Sequence, residues 1–352
     1  MIHMKYVLLL SFLLTTQLFV NAQSADDLIK EGVALHDKGE YAAALTKYDA
    51  ALAADPGNEA ALQEKSYTLL SMQKYDDAED ILKKLLKNSK NNDIRRLSYI
   101  SYGTLLDQQG NGKKSLKMYE QGIKEFPNSY LLYFNKGVTE AGLNNIDDAI
   151  LSFENALKNN PVHASSHNAL AKLTANRSRI SAVLAVVSFL IIEPTGRRAQ
   201  ENVTQLNNLL NKGISRKDDK NVTISIDADL LNKEKKPKED DFSSAELLMS
   251  LILANTNVPD SLGIKTDADK LSYQLQLLIG QIDNTEKQEK GFFKNYYVPM
   301  FVEMKKNDLV TIASYIALAS SGKEEITKWL KDNKDDVDGF YRWFENYKWV
   351  KE

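Results

Sequence analysis

Between Ala25 and about Thr195, apolar and small residues return in registers of 34 positions, and each register predicts two helices, A and B, joined by a short turn. In the first register Gly32 sits in helix A, Tyr41 follows the turn, Ala44, Tyr48 and Ala51 line helix B, and Pro56 closes it. The third repeats the scheme with Gly103, Ser115, Tyr119, Gly122 and Pro127, and the fourth with Gly137, Ala149, Phe153, Ala156 and Pro161. The second keeps Ser66, Tyr75, Ala78, Leu82 and Leu85, but Lys90 stands in the proline position and about three extra residues precede the next register. The fifth keeps Ala171, Val183, Val187 and Leu190, with Pro194 one position early. Packing explains the alternation: small residues allow helices A and B to cross closely, and Tyr48, Tyr119 and Phe153 fill the space beside them. A proline ends helix B because it cannot donate to the helical ladder and turns its predecessor away from the helical region.

Beyond the fifth register, Val203, Leu206, Leu209 and Leu210 predict one more amphipathic helix over Ala199 to Leu210, ended by Gly213 as a left-handed cap. Mixed-sign charge runs then mark a linker, with Val222 to Ile226 as a strand candidate that has no obvious partner. Helices resume at Ser243, where Ser243 and Glu246 predict a capping box. Further helices are expected near Ala268 to Ile282, Val298 to Lys305, Asp308 to Ala319, Lys323 to Asn333 and Val337 to Lys348. The run Arg179 to Ile192 is apolar on nearly all faces yet shorter than the roughly 20 residues a bilayer span requires. It is expected to lie between the repeats and the C-terminal domain.

The residues of the five registers resemble the tetratricopeptide-repeat (TPR) family, over roughly half of the chain. The resemblance implies an all-α fold: a right-handed solenoid of about five helical hairpins, here followed by a smaller helical C-terminal domain. It also implies a concave groove, lined by the A helices, for extended or helical peptides. Carried over position by position, the groove residues are Ile29 and Val33, Gln63 and Tyr67, Ile100 and Thr104, Phe134 and Val138, and Asn168 and Lys172. The alternative for each is packing against the next repeat. The basic and asparagine residues with which chaperone-cofactor members clamp a C-terminal carboxylate are absent from the first three units.

The N-terminus changes the picture of location. Lys5, the apolar run Tyr6 to Leu14 and the short residues Val20 and Ala22 predict a secretory signal peptide cleaved between Ala22 and Gln23. Membrane contact is then expected only through this segment, before cleavage, and the mature chain is expected in the periplasm or outside the cell. The domain organisation read from the sequence is a signal peptide over 1–22, a TPR array over 23–198, a capping helix and charged linker over 199–241, and a helical C-terminal domain over 242–352. This layout resembles exported Gram-negative TPR proteins of unassigned role.

Composition narrows the chemistry. The absence of cysteine excludes disulfides and thiolate chemistry, and a formal net charge of −3 gives no footprint for nucleic acid. Gly112-Lys113-Lys114-Ser115 lacks the glycine and the Ser or Thr that a phosphate-binding loop needs, and reads as a turn between helices. His163 and His167, four apart, have no carboxylate close by to complete a metal site. No catalytic residue, metal or cofactor is therefore expected, nor a small-molecule substrate. Phe292, Phe293, Tyr296, Tyr297, Phe340, Tyr341, Trp343, Phe344, Tyr347 and Trp349 crowd the C-terminal half. Most are expected to close its core, with Tyr347 and Trp349 the better interface candidates. The expected function is a non-enzymatic adaptor binding a protein or peptide in the repeat groove, the alternatives being a periplasmic chaperone for apolar segments and an enzyme in the C-terminal domain.

Overall fold

The computed structural model describes residues 23–216, 222–225, 239–254, 264–283 and 290–349. The predicted signal peptide lies outside them, as do positions 217–220 and 233–238 of the charged linker. The described fold is all-α apart from one short ribbon. Five hairpins come first: α1 (Ala25–Asp37) with α2 (Tyr41–Ala54), α3 (Glu59–Ser71) with α4 (Tyr75–Asn88), α5 (Asn92–Gln108) with α6 (Gly112–Glu125), α7 (Tyr130–Gly142) with α8 (Ile146–Asn159), and α9 (Ala164–Thr174) with α10 (Arg179–Ile192). Then follow α11 (Arg197–Asn211), the strands β1 (Ile214–Arg216) and β2 (Val222–Ile224), and α12 (Ser243–Ala254). The last helices are α13 (Asp267–Ile282), α14 (Phe292–Lys306), α15 (Val310–Ala317), α16 (Glu324–Asp332) and α17 (Lys334–Asn346).

The chain divides into two compact units, one ending at Pro127 and one beginning at Asn128. The division thus falls between the third and fourth hairpins, whereas the sequence reading places its boundaries after residues 198 and 241. The reason is α10: hairpins four and five share one continuous core with the C-terminal helices, from Ala149 and Phe153 through Val186 to Tyr297 and Phe344.

In the first unit the alternation of small and large residues holds. Tyr48 and Tyr119 are fully buried, and a Cβ built on Gly32 or Gly103 would lie closer than 3.0 Å to the facing tyrosine ring. Leu69, Leu70, Ala78, Leu82, Leu105 and Leu106 form the core of the second and third hairpins. The missing proline and the extra residues have one structural answer. Helix α5 is 17 residues long where α1 and α3 have 13, so the insertion is absorbed as an added turn. At the position where the chain must turn, the Ser89 hydroxyl donates to Glu59 (2.6 Å) and accepts from the Asn91 amide (3.1 Å). The Asn91 side chain then caps α5 by accepting from the Asp93 and Ile94 amides; caps of this kind contribute about 1 kcal/mol. Gly112 to Ser115 form the first turn of α6, with Ser115 buried.

In the second unit every residue from Arg179 to Ile191 is buried, and α10 packs against α9, α11, α12, α14 and α15. Each large apolar side chain on it stabilises the fold by about 1.5–3 kcal/mol through burial. No helix among the described residues is long and apolar enough to cross a membrane. The N-terminus of α10 is capped twice, by the Ser178 side chain and by the Glu246 carboxylate of α12, which accepts from Ser178 Oγ (2.9 Å) and the Ile180 amide (3.3 Å). The expected Ser243 and Glu246 capping box is therefore corrected: Glu246 serves another helix, and the Ser243 hydroxyl donates to Asp241 (2.6 Å). The nearby Arg179 guanidinium donates to the carbonyls of Lys212 (3.0 Å) and Glu246 (2.8 Å) and to Ser250 Oγ (2.6 Å). A capping box does occur one helix later, where Thr266 and Asp269 open α13.

Three further expectations change. The strand at Val222 has a partner, since β2 pairs antiparallel with β1, Ile214 opposite Ile224. Gly213 adopts a left-handed conformation, as expected of a helix cap, and a Cβ there would also meet the Ser225 carbonyl at 2.6 Å. Helix α14 starts at Phe292 and runs through Pro299. An interior proline costs about 3 kcal/mol, offset here because the turns before it bury Phe293, Tyr296 and Tyr297. Finally, Tyr347 and Trp349 pack inward, with Trp349 stacked on Tyr296 (4.8 Å) and edge-on to Phe344 (5.9 Å) and Tyr347 (5.2 Å). The segment after α17 folds back over α14, so these rings extend the core rather than form an open surface.

Candidate functional site

The A helices carry the sequence-derived groove residues, and the two units present them differently. In the first unit Ile29, Val33, Ile100 and Thr104 are half-buried and Tyr67 is 51% exposed. The B-helix residues that alternate with them, Ala44, Tyr48, Ala78, Leu82 and Tyr119, are buried. Side chains on helix A one residue beyond the small position therefore emerge while those at the crossing do not.

Gln63 departs from the groove assignment. It is 4% exposed, its amide donates to Ser101 Oγ (3.1 Å), and its carbonyl accepts from Ser98 Oγ (3.0 Å). Its polar ends are satisfied by α5, so Gln63 fastens the second hairpin to the third and does not face a ligand. Thr104 is partly committed as well, its hydroxyl lying 3.1 Å from that of Tyr119.

The exposed Tyr67 belongs to a cluster that the sequence reading did not single out. Its ring stacks on His36 (4.9 Å between centroids, 27° between planes), and Tyr41 covers the imidazole at 5.1 Å. His36 Nδ1 and Thr68 Oγ1 lie 2.8 Å apart, tying α1 to α3. Asp37 follows His36, and Glu64 lies one turn before Tyr67 and Thr68 on α3. Burial pushes the Glu64 carboxyl above its ordinary range, and the negative charge of Asp37 pushes the same way. The available signal was spacing: His36 and Asp37 stand three and four residues after Val33, on the same helical face.

In the second unit, Phe134 is half-buried against Phe153 (5.6 Å) and edge-on to His163 (4.8 Å), so much of its surface is spent inside the unit. Val138 is 45% exposed and Lys172 exposed, while Asn168 is half-buried. His163 sits between Tyr130 (4.9 Å) and Phe134, with Nδ1 2.8 Å from Ser166 Oγ. His167 is fully buried; its Nε2 lies 2.8 Å from the Pro161 carbonyl and its Nδ1 2.7 Å from the Tyr297 hydroxyl. A carbonyl only accepts, so Nε2 carries the proton. Burial holds the ring neutral by lowering its pKa to about 4, which makes Nδ1 the acceptor from Tyr297. With both nitrogens engaged, His167 has no lone pair for a metal.

Comparison with known proteins agrees with the hairpin pattern. Family models described as tetratricopeptide repeat match residues 35–98 and 137–181. Among solved structures, a thermophilic TPR protein of Thermus thermophilus is 20% identical, covering 53% of this chain and 99% of its own, with a TM-score of 0.43. PilF of Pseudomonas aeruginosa is 18% identical over 53% of this chain and 88% of its own, with a TM-score of 0.44. YrrB, described as a TPR protein with an unusual peptide-binding site, is 22% identical over 49% of this chain and 87% of its own, with a TM-score of 0.34. No curated protein matches the sequence. The 34-residue registers, the glycine and tyrosine crossings and the two family-model matches make the chain a member of the tetratricopeptide-repeat family.

Proposed function

We propose that the protein is a non-enzymatic adaptor that holds a segment of a partner protein against the A-helix face of its first three repeats, and that it works after export, in the bacterial envelope. The fold is one that supports protein or peptide binding. The observation that carries the reading is Tyr67: a large aromatic side chain, half in solvent, flanked by Ile29, Val33 and Ile100 on neighbouring A helices. Aromatic anchors surrounded by aliphatic contacts are what binding hot spots require, and the apolar side chains of the matching B helices are buried in the crossings. The export part of the reading is supported by the apolar run Tyr6 to Leu14 and the short residues before Gln23.

The test is a photo-crosslinking amino acid placed at position 67 or, as a control, at the exposed Lys84 of helix α4, in the native host. A discrete partner crosslinked from position 67 and not from 84 is the expected result. Equal labelling from both positions, or from neither, overturns the groove as the binding surface. Mass spectrometry of the same purified protein reads its first residue, and intact Met1 overturns export by signal-peptide cleavage.

A further inference from the structure

We propose that the face shared by α1 and α3, around Asp37, Glu64 and Tyr67, receives a positively charged side chain of the bound segment, the guanidinium of an arginine or the ammonium of a lysine. This deepens the adaptor reading and rests on it.

The electrostatics of the first unit single this place out. Glu31, Glu79 and Glu125 each have a cation at hydrogen-bond distance: Lys47 (2.7 Å), Lys83 (2.7 Å) and Arg95 (2.6 Å). Those partners hold the three carboxyls below their ordinary range. Glu64 is pushed the other way, by burial and by Asp37, and among the described residues neither acid has a cation within 4.0 Å. Lys65, the chain neighbour of Glu64, is bonded instead to Asp49 (2.6 Å). Two carboxylates have been brought together at a partly buried position with their repulsion left unrelieved, an arrangement found where a site awaits its ligand.

A second observation is independent of the acids. Tyr48 is fully buried, and its hydroxyl, close enough to feel the charges of both Glu64 and Asp37, has no hydrogen-bond partner among the described residues. Thr68 Oγ1, the hydroxyl beside it, is taken up by His36 Nδ1. A buried hydroxyl oxygen without a partner costs stability unless something donates to it, and a bound cation supplies N–H donors. The half-exposed ring of Tyr67, fixed in orientation by its stack on His36, adds an aromatic face of the kind on which Arg and Lys side chains rest. An anionic or purely apolar segment would leave both carboxylates and the Tyr48 hydroxyl unsatisfied, so the pocket also discriminates.

The test uses the full-length protein and an array of short extended peptides of alanine, leucine and serine with one central arginine. A second array carries citrulline there, which keeps the shape and loses the charge. Fluorescence anisotropy should show the arginine peptides binding about tenfold more tightly than their citrulline counterparts, with the ratio falling as salt rises. The Asp37→Asn/Glu64→Gln double variant should lose that ratio while still binding the citrulline peptides as the wild type does, which also shows that it is folded. If both arrays bind wild type equally, or the double variant keeps the ratio, the cation pocket is overturned and the peptide-binding reading stands. If no peptide of either array binds, the adaptor reading falls and takes the pocket with it.

Discussion

His167 and Tyr297 are joined by a 2.7 Å hydrogen bond in the interior of the second unit, one from the A helix of the fifth hairpin and the other from α14. The pair fixes the imidazole as the Nε2-protonated tautomer and docks the C-terminal helices on the repeats, helped by the Tyr296 hydroxyl donating to the Leu157 carbonyl (3.2 Å) and that of Tyr341 to Ile191 (3.1 Å). Tyr297→Phe leaves Nδ1 buried without a donor and should cost about 1–3 kcal/mol in urea unfolding. Wild-type stability in that variant would mean that the hydrogen bond contributes nothing net.

Stability should depend on pH in opposite senses through two buried groups of this unit. Burial and the charge of Asp240 push Glu154 up to about 8 from an ordinary 4.5, so its contribution is complete below 4.5 and is lost as pH rises through about 8. His167, lowered to about 4 from 6.5, contributes fully above 6.5 and loses that contribution as pH falls through about 4. Urea unfolding between pH 6 and 9 should show a decline that Glu154→Gln flattens by about 2 kcal/mol or more. A variant that declines as steeply as wild type refutes the assignment to Glu154. The His167 ring carbons should keep neutral-form NMR shifts down to pH 5.

The helix crossings give a positional prediction. A Cβ on Gly137 would come within 2.9 Å of the Phe153 ring, whereas nothing lies within 4 Å of one on Gly142, at the end of the same helix. Gly137→Leu should therefore destabilise by about 1–3 kcal/mol from overpacking and lower the melting temperature more than Gly142→Leu does. Equal melting temperatures would place the crossing elsewhere.

Tyr67→Ala removes an exposed ring and should leave the far-ultraviolet circular dichroism unchanged, while weakening a partner crosslinked at that position by about 2 kcal/mol. Phe134→Ala behaves differently, because that ring packs on Phe153 and His163, and it should lower stability. Glu64→Gln, which removes a disfavoured negative charge, should raise thermal stability. A thermal loss for Glu64→Gln, or undiminished partner binding by Tyr67→Ala, would count against the site as described.

The hairpins were legible in the sequence because a helix crossing imposes size on particular positions: Gly32 and Tyr48, or Gly137 and Phe153, can be read as pairs from spacing alone. What spacing does not carry is the identity of the neighbour across a gap. Gln63 occupies a groove position by register, yet Ser98 and Ser101 of the lengthened helix α5 draw it inward. Glu246 matches a capping-box position, yet α10 claims its carboxylate. Tyr347 and Trp349 read as free because they lie past the last helix, and the chain there folds back onto Tyr296. In the candidate site, Tyr67 was visible and the partners that give it chemistry, His36, Asp37 and Glu64, were not, since their meeting depends on how α1 lies against α3.

The burial of α10 on every side sets an order of events during synthesis. Its apolar surface leaves the ribosome well before α14 and α15, two of the helices that cover it, are made. The first three hairpins rest on contacts between neighbours in sequence and can form as they emerge. The fourth and fifth cannot complete until the C-terminal helices arrive, so a stalled or shortened chain displays Val183, Val187 and Leu190 to its surroundings. Truncation within the C-terminal half should therefore give aggregation, and a nascent-chain chaperone has its strongest reason to engage this protein in the interval between α10 and α15.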